Sequence, residues 1–197
     1  MPAFLAHQRA GGLAEGPRAE LIGGVVEPPA RLDPRETIIL AHLESSLRAA
    51  VSARRQEALT GAERAAAAAA LRVERFAAIR LGPSDLLRVD IAVFQPVGLA
   101  AVGSSNPSGT PGGSNDPSAA VLVVEVLRGR HSHELRLPLY AAAAVKELWL
   151  VDLGRGWTEV FRSPWQSRYR SRTLWYPGEA MPVQQLGAAQ IEPLPRL

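Results

Sequence analysis

The sequence has no cysteine and almost no lysine. Without cysteine, disulfides and thiolate metal sites are excluded. Of the 22 basic residues only Lys146 is a lysine, and the other 21 are arginine. The pI near 9.9 therefore reflects arginine chemistry more than excess charge, because the formal net charge is only +3. Nucleic acid is a permitted partner, not one that charge demands. No apolar run approaches the roughly 20 residues of a membrane span, so no membrane association is expected. The first residues, MPAFLAHQRAGG, lack the basic start and long apolar stretch of a secretory signal, and cytoplasmic residence is expected. There is no P-loop, no dinucleotide-type glycine motif and no serine nucleophile elbow.

What is present is a chain of 197 residues with a hydrophobic share of 47%, which suits one domain over 1–197 with a real core. Residues 1–18 read as a lead-in. Two apolar stretches from Ala19 to Glu27 meet at Gly23-Gly24, a hairpin signal because a tight primed turn needs positive φ at both central residues. Asp33, Pro34 and Glu36 form a capping box, and the helix after them should run to about Glu57. Ile39, Leu43 and Leu47, joined by Ala50 and Val51, give it an apolar stripe. Residues 60–71, with the run of six alanines from Ala65 to Ala70, predict a peripheral helical extension. Val73 to Leu81 and Leu86 to Phe94 predict two paired strands across the turn at residues 82–85. Residues 98–118 form a Gly/Ser/Pro-rich loop. Ala119 to Leu127 is the continuous apolar run of a central strand covered on both faces. A helix follows between Ser132 and Ala144, starting nearer Leu137 or kinked because of Pro138. Glu147 to Asp152, Thr158 to Arg162 and Arg168 to Tyr176 predict three more strands, and residues 177–197 an irregular tail. The order predicts an α/β sheet with helices packed on it.

Glu125 is the most informative residue, because every neighbour in VLVVEVL is apolar. Stripping water from a lone carboxylate costs several kcal/mol, so it must be protonated, paired or bound to a cation. Asp90 poses the same question inside LLRVDIAVF. Strand alternation would place Asp90 on one face with Arg88 and Ala92, and Glu125 with Val123 and Leu127. Each acid alone is served by an arginine such as Arg88 or Arg128. Both together, on neighbouring strands with those faces aligned, would crowd two carboxylates that a divalent cation relieves. Mg²⁺ suits such a site, taking one or two carboxylates from protein.

The ordered set AELIGGVVEPP, a helix, RVDIAVF, VLVVEVL, LPLYAAAAVKELWLVD and TEVF resembles the Uma-two family of restriction-endonuclease-like nucleases, over about Ala19 to Arg162. The resemblance implies a restriction-endonuclease-like core, a mixed β-sheet flanked by helices with an N-terminal β-hairpin. It also implies a PD-(D/E)XK-type, metal-dependent phosphodiesterase site using Mg²⁺ or Mn²⁺ on DNA. The family's hairpin glutamate falls on Glu20, its Arg-Pro-Asp aspartate on Asp90 with Val89 in place of proline, and its strand glutamate on Glu125. The family's helix tyrosine matches Tyr140. The lysine four residues earlier is replaced by Arg136, and the aspartate before that by Ser132. Gly23 stands where the hairpin usually has aspartate. On this reading Asp90 and Glu125 hold the metal, Glu20 orients a metal-bound water or a second ion, Arg136 contacts the scissile phosphate, and Tyr140 joins it in binding the substrate. Arginine can grip phosphate but cannot act as a base. His131 and His133 are nearby candidates for that role.

Plainer roles exist beside these. Tyr140 reads as a core aromatic with its hydroxyl at the surface, Glu20 as a solvated strand residue, and His42 as a partly exposed helix residue. Arg168, Arg170 and Arg172, interleaved with Trp165, Tyr169, Trp175 and Tyr176, suit a charged edge strand, a nucleic-acid backbone track or a homodimer surface. The leading expectation is a divalent-metal-dependent endonuclease on DNA. The alternative is a catalytically inactive nuclease fold serving as a DNA- or protein-binding module.

Overall fold

The structure is a computed structural model that describes residues 20–27, 32–57, 71–95, 119–127 and 132–195, without the side chains of 26, 27, 57, 132 and 133. The lead-in, residues 60–70 of the alanine-rich segment, the whole Gly/Ser/Pro loop, Arg128 and His131 lie outside the described residues.

Local chemistry sets the first elements. β1 (Glu20–Ile22) and β2 (Val25–Glu27) pair across Gly23 and Gly24, whose φ angles are 57° and 83°. The hairpin turn is tied to a neighbour, because Gly23 N donates to Asp85 Oδ1 at 2.7 Å. α1 (Pro34–Glu57) opens on the expected box. Glu36 N donates to Asp33 Oδ1 at 2.7 Å, and Asp33 N donates to Glu36 Oε2 at 3.1 Å. Two otherwise orphan N–H groups are satisfied reciprocally.

The paired strands expected over Val73–Leu81 and Leu86–Phe94 are broken into four: β3 (Arg72–Arg75), β4 (Ala78–Gly82), β5 (Asp85–Arg88) and β6 (Ile91–Phe94). The break falls at Phe76, with φ 55°, and opposite it at Val89 and Asp90. Backbone bonds continue through it, Phe76 N to Asp90 O at 2.8 Å and Val89 N to Ala77 O at 2.9 Å. The bend carries one hairpin between two sheets. Its tip joins the sheet β2-β1-β5-β4, and its base joins the six-stranded sheet.

That larger sheet has the order β10-β9-β8-β7-β6-β3, with β7 (Ala120–Val126), β8 (Glu147–Asp152), β9 (Trp157–Trp165) and β10 (Arg168–Trp175). Only β7 and β8 pair in parallel among these. A parallel pair needs a crossover, which α2 (Ser132–Ala142) supplies. α2 starts at Ser132 rather than near Leu137 and runs through Pro138, which is exposed.

Two cores lie on opposite faces of this sheet, as alternation demands. One gathers Leu43 and Leu47 of α1 with Ile91, Val93, Val124, Trp149 and Val151. The other gathers Tyr140 of α2 with Ala92, Val123, Leu148, Leu150 and Phe161. Every residue of β7 is buried, as its unbroken apolar run predicts. The segment expected to be an irregular tail instead forms β11 (Met181–Pro182), a 3-10 turn (Gln184–Leu186) and β12 (Gln190–Ile191). Met181, Val183, Leu186 and Ile191 complete the α1-side core. Their spacing was too irregular to read as an element, yet the apolar face of α1 gives them something to cover.

Candidate active site

Where the two larger sheets meet, the topology brings five side chains together. Glu20 comes from β1, Asp90 from the bend between β5 and β6, and Glu125 from β7. Arg136 and Tyr140 come from one face of α2, four residues apart. Glu125 has the parity of Val123, which places it on the α2 side of the sheet. Ile91 pairs with Val124, so Asp90 stands one position beyond that pair, opposite Glu125. Asp90 is in a bend and not within a strand, which corrects the expectation that it shares a strand face with Arg88 and Ala92. The bend lets its carboxylate cap the neighbouring strand, where Val126 N donates to Asp90 Oδ2 at 2.9 Å.

All three acids are buried, which removes the solvated reading of Glu20. Arg136 binds the cluster together. Its Nη1 donates to both oxygens of Glu125 at 3.2 Å, and its Nη2 donates to Glu20 Oε2. Tyr140 OH donates to Glu125 Oε1, and Arg88 N donates to Glu20 Oε1 at 3.1 Å. Tyr140 is wholly buried, so its hydroxyl is not at the surface as expected. Burying a phenol without a partner is unfavourable, and Glu125 supplies one. The arginine partner of Glu125 is Arg136, not Arg88.

The electrostatics follow from burial and crowding. Loss of water pushes Glu20 up to about 7, with Arg136 pulling it down and the charge of Glu125 pushing it up further. Burial also raises Glu125, against the pull of Arg136 and the Tyr140 hydroxyl. Tyr140 is pushed well up by burial and then by the charge of Glu125. Burial opposes the charge on Arg136, but the carboxylates of Glu125 and Glu20 outweigh it, and the net shift is upward. Arg136 therefore stays a cation and cannot serve as a base.

Three buried carboxylates beside one guanidinium leave an excess of acceptor oxygens that suits a divalent cation. Mg²⁺ prefers carboxylate oxygens and keeps most of its water, so two carboxylates suffice. Asp90 and Glu125 fit that requirement by donor chemistry. Among the described residues, no group of three or more His, Cys, Asp or Glu side chains forms a fuller cage. His131 lies outside the described residues, and nothing is described of the side chain of His133. His42 sits on α1, half-buried, with Nε2 2.8 Å from Glu192 O, as a structural residue would.

Every member of the cluster was named from sequence. What sequence reasoning missed are two other buried acids, Glu147 and Glu159. The signal was weaker, since each has an apolar neighbour on one side only, with Lys146 before Glu147 and Thr158 before Glu159. Glu147 Oε1 accepts from Trp149 Nε1 and Arg162 Nη2, both at 2.8 Å, and Oε2 from Gln184 N at 3.2 Å. Glu159 pairs with Arg172 at 2.9 Å.

Comparison with known proteins bears on the family and the fold. The model of the Uma2 family, described as "Putative restriction endonuclease", matches residues 2–192. Among solved structures, the chain is similar to one described as a "putative nuclease belonging to DUF820" from Anabaena variabilis ATCC 29413. The two share 14% identity with a TM-score of 0.63, over 89% of this chain and 87% of that one. At that identity the likeness concerns the fold, a mixed α/β nuclease fold. No curated protein matches the chain.

Proposed function

The chain belongs to the Uma2 family of restriction-endonuclease-like proteins, and on that premise we propose that it is a divalent-metal-dependent endonuclease acting on DNA phosphodiesters. The observation that carries this reading is the gathering of three buried carboxylates, with Arg136 bonded to Glu20 and Glu125 and the charge of Asp90 felt by both of those acids. Asp90 and Glu125 are the residues that would hold Mg²⁺ or Mn²⁺. Such an ion supplies charge stabilisation on a phosphoryl oxygen and lowers the pKa of water.

The chain's own residues do the rest. Arg136 stays charged, and its guanidinium-bearing side chain keeps 17% of its surface in water. A phosphate oxygen is an acceptor of the right charge for it. Glu20, fixed by Arg88 N and Arg136 Nη2, sets the orientation of the guanidinium and presents a carboxylate to the attacking water. Tyr140 holds Glu125 in place and acts as a positioning residue.

One observation favours a second reading, a catalytically silent DNA- or protein-binding module. Arg136 already occupies both oxygens of Glu125, so it must yield for an ion to bind there. Plasmid relaxation with Mn²⁺ separates the two, run on the natural chain, Arg136→Lys and Glu125→Ala. Cutting by the natural chain that needs Mn²⁺ and vanishes in Glu125→Ala supports the nuclease. Cutting by Arg136→Lys alone means that the arginine silences an otherwise competent centre. No cutting by any chain sinks the nuclease reading in favour of the module.

A further inference from the structure

The β9–β10 hairpin concentrates two properties that the rest of the chain dilutes. Residues 157–176 hold four arginines and one glutamate, a local excess equal to the whole formal charge of the chain, +3. The same stretch holds three of the four tryptophans and two of the three tyrosines. β10 is the edge strand of the six-stranded sheet. Charge on an edge strand is expected, because it deters pairing with another chain. Exposed aromatics are not explained that way, since they invite association.

The arrangement is ordered. Arg168, Arg170 and Arg172 recur at every second residue of β10, and all three are exposed. Tyr169 and Trp175 between and beyond them turn partly inward. Tyr169 OH donates to Val145 O at 2.9 Å, and its ring meets Phe161 with centroids 5.9 Å apart. Tyr169 thus fastens the hairpin beside the end of α2, while Trp175 packs against the core on the α1 side. Outside, the guanidinium of Arg170 lies 4.1 Å from the ring centroid of Trp165, which is 52% exposed. Arg172 reaches Glu159 yet keeps 59% of its side-chain surface in water.

The hairpin is also registered to the acid cluster. Glu125 pairs with Leu150, Leu150 with Glu159, and Glu159 with Leu174, in one row across the sheet. Arg172, Arg170 and Arg168 follow from Leu174 along β10 at steps of about 6.8 Å, and at ~4.8 Å per strand the row itself, from Glu125 to Leu174, spans roughly 15 Å. One strand of a duplex, with a phosphate per ~3.4 Å of axis, covers that distance in about four to five nucleotides.

We propose that the β9–β10 hairpin is a nucleic-acid track leading to the acid cluster. Arg168, Arg170 and Arg172 contact phosphates, and Trp165 offers its face to a base. This rests on reading the cluster as a DNA-cleaving centre, but it assigns a separate surface with its own signature. Arginines on phosphates bind without sequence preference and with steep salt dependence, and an exposed tryptophan adds stacking that every base can use.

The test is fluorescence anisotropy of a short labelled deoxyoligonucleotide, single-stranded and as its duplex, with EDTA present so that nothing is cut. The natural chain is compared with Arg168→Ala/Arg170→Ala and with Trp165→Ala. All three sites are exposed, so the fold should survive. Removing two phosphate contacts should lower the slope of log affinity against log salt by about 1.4 to 1.8. Trp165→Ala should weaken binding roughly 5- to 150-fold at an unchanged slope. Binding and slope unchanged in the double variant would overturn the track. So would failure of the natural chain to bind either probe. Loss of a dimer on sedimentation with DNA binding intact would also overturn it, giving the surface to a second copy. If the natural chain fails to cut in the plasmid assay yet binds through the hairpin, the nuclease reading falls and the track stands.

Discussion

Glu125 and Glu147 are built from the same parts and differ in company. Each is a buried glutamate on a strand of the six-stranded sheet, and each accepts from an arginine and from an aromatic donor. Glu147 has donors on both oxygens, Trp149 Nε1 and Arg162 Nη2 on one and Gln184 N on the other. It clasps β8, β9 and the C-terminal segment. Glu125 shares its arginine with Glu20 and feels the charge of Asp90 as well. A buried carboxylate with matched donors is a structural device. One crowded by other carboxylates stores unfavourable electrostatics that stability alone does not require, and that surplus is what a functional centre needs.

Substitutions can break this comparison. The largest effect expected is on activity, where Glu125→Gln should reduce metal-dependent cleavage by roughly three orders of magnitude, equivalent to losing about 4 kcal/mol of charge stabilisation. The same substitution should leave the melting temperature unchanged or higher, because it relieves like-charge crowding. Glu147→Ala should do the opposite. Leaving the largely buried Arg162 without its carboxylate, with only the Pro182 carbonyl to accept from it, should cost about 3 kcal/mol in denaturant unfolding, with activity per folded molecule kept.

Smaller effects sharpen the contrast. Arg136→Lys keeps the charge but cannot hold Glu20 and both oxygens of Glu125 at once, and a loss of about 1.5–3 kcal/mol is expected in the same unfolding assay. Glu20 should show its strain in pH dependence. Its carboxyl titrates near 7 in the fold against 4.5 ordinarily, so the fold binds the proton more tightly than the unfolded chain does. Its contribution to stability is full below about pH 4.5 and lost as pH rises through 7. Glu20→Gln should therefore melt higher than the natural chain at pH 8, and the gap should close by pH 4. The smallest effect belongs to a pair in water. Arg48 and Glu44 lie 2.9 Å apart on α1, with Arg48 57% exposed, and Arg48→Ala should change stability by no more than about 0.5 kcal/mol.

Legibility followed the range of the interactions. The Gly23-Gly24 turn, the Asp33–Glu36 capping box and the apolar run of β7 depend on neighbours in sequence, and all were readable there. The bend at Phe76 and Asp90 depends on two sheets competing for one hairpin, which strand periodicity does not encode. The C-terminal segment is ordered by the apolar face of α1, more than a hundred residues away. In the cluster, acids set among apolar residues were conspicuous, and the spacing of Arg136 and Tyr140 put both on one helix face. Which groups bonded was not readable. The partner of Glu125 comes from α2, and that helix runs through Pro138, a residue that argued for a later start. Proline costs a helix interior about 3 kcal/mol, and the bonds of Arg136 and Tyr140 to Glu125 on either side of it oppose that loss.

The central claim is that Glu125 works where Glu147 only holds. Its most direct test is cleavage of a labelled DNA duplex in Mn²⁺ by Glu125→Gln and Glu147→Gln, each normalised to the folded fraction measured by circular dichroism. The natural chain and Glu147→Gln should cut, and Glu125→Gln should show nothing above background. Equal cutting by the two variants, or loss of cutting in Glu147→Gln alone, would contradict it.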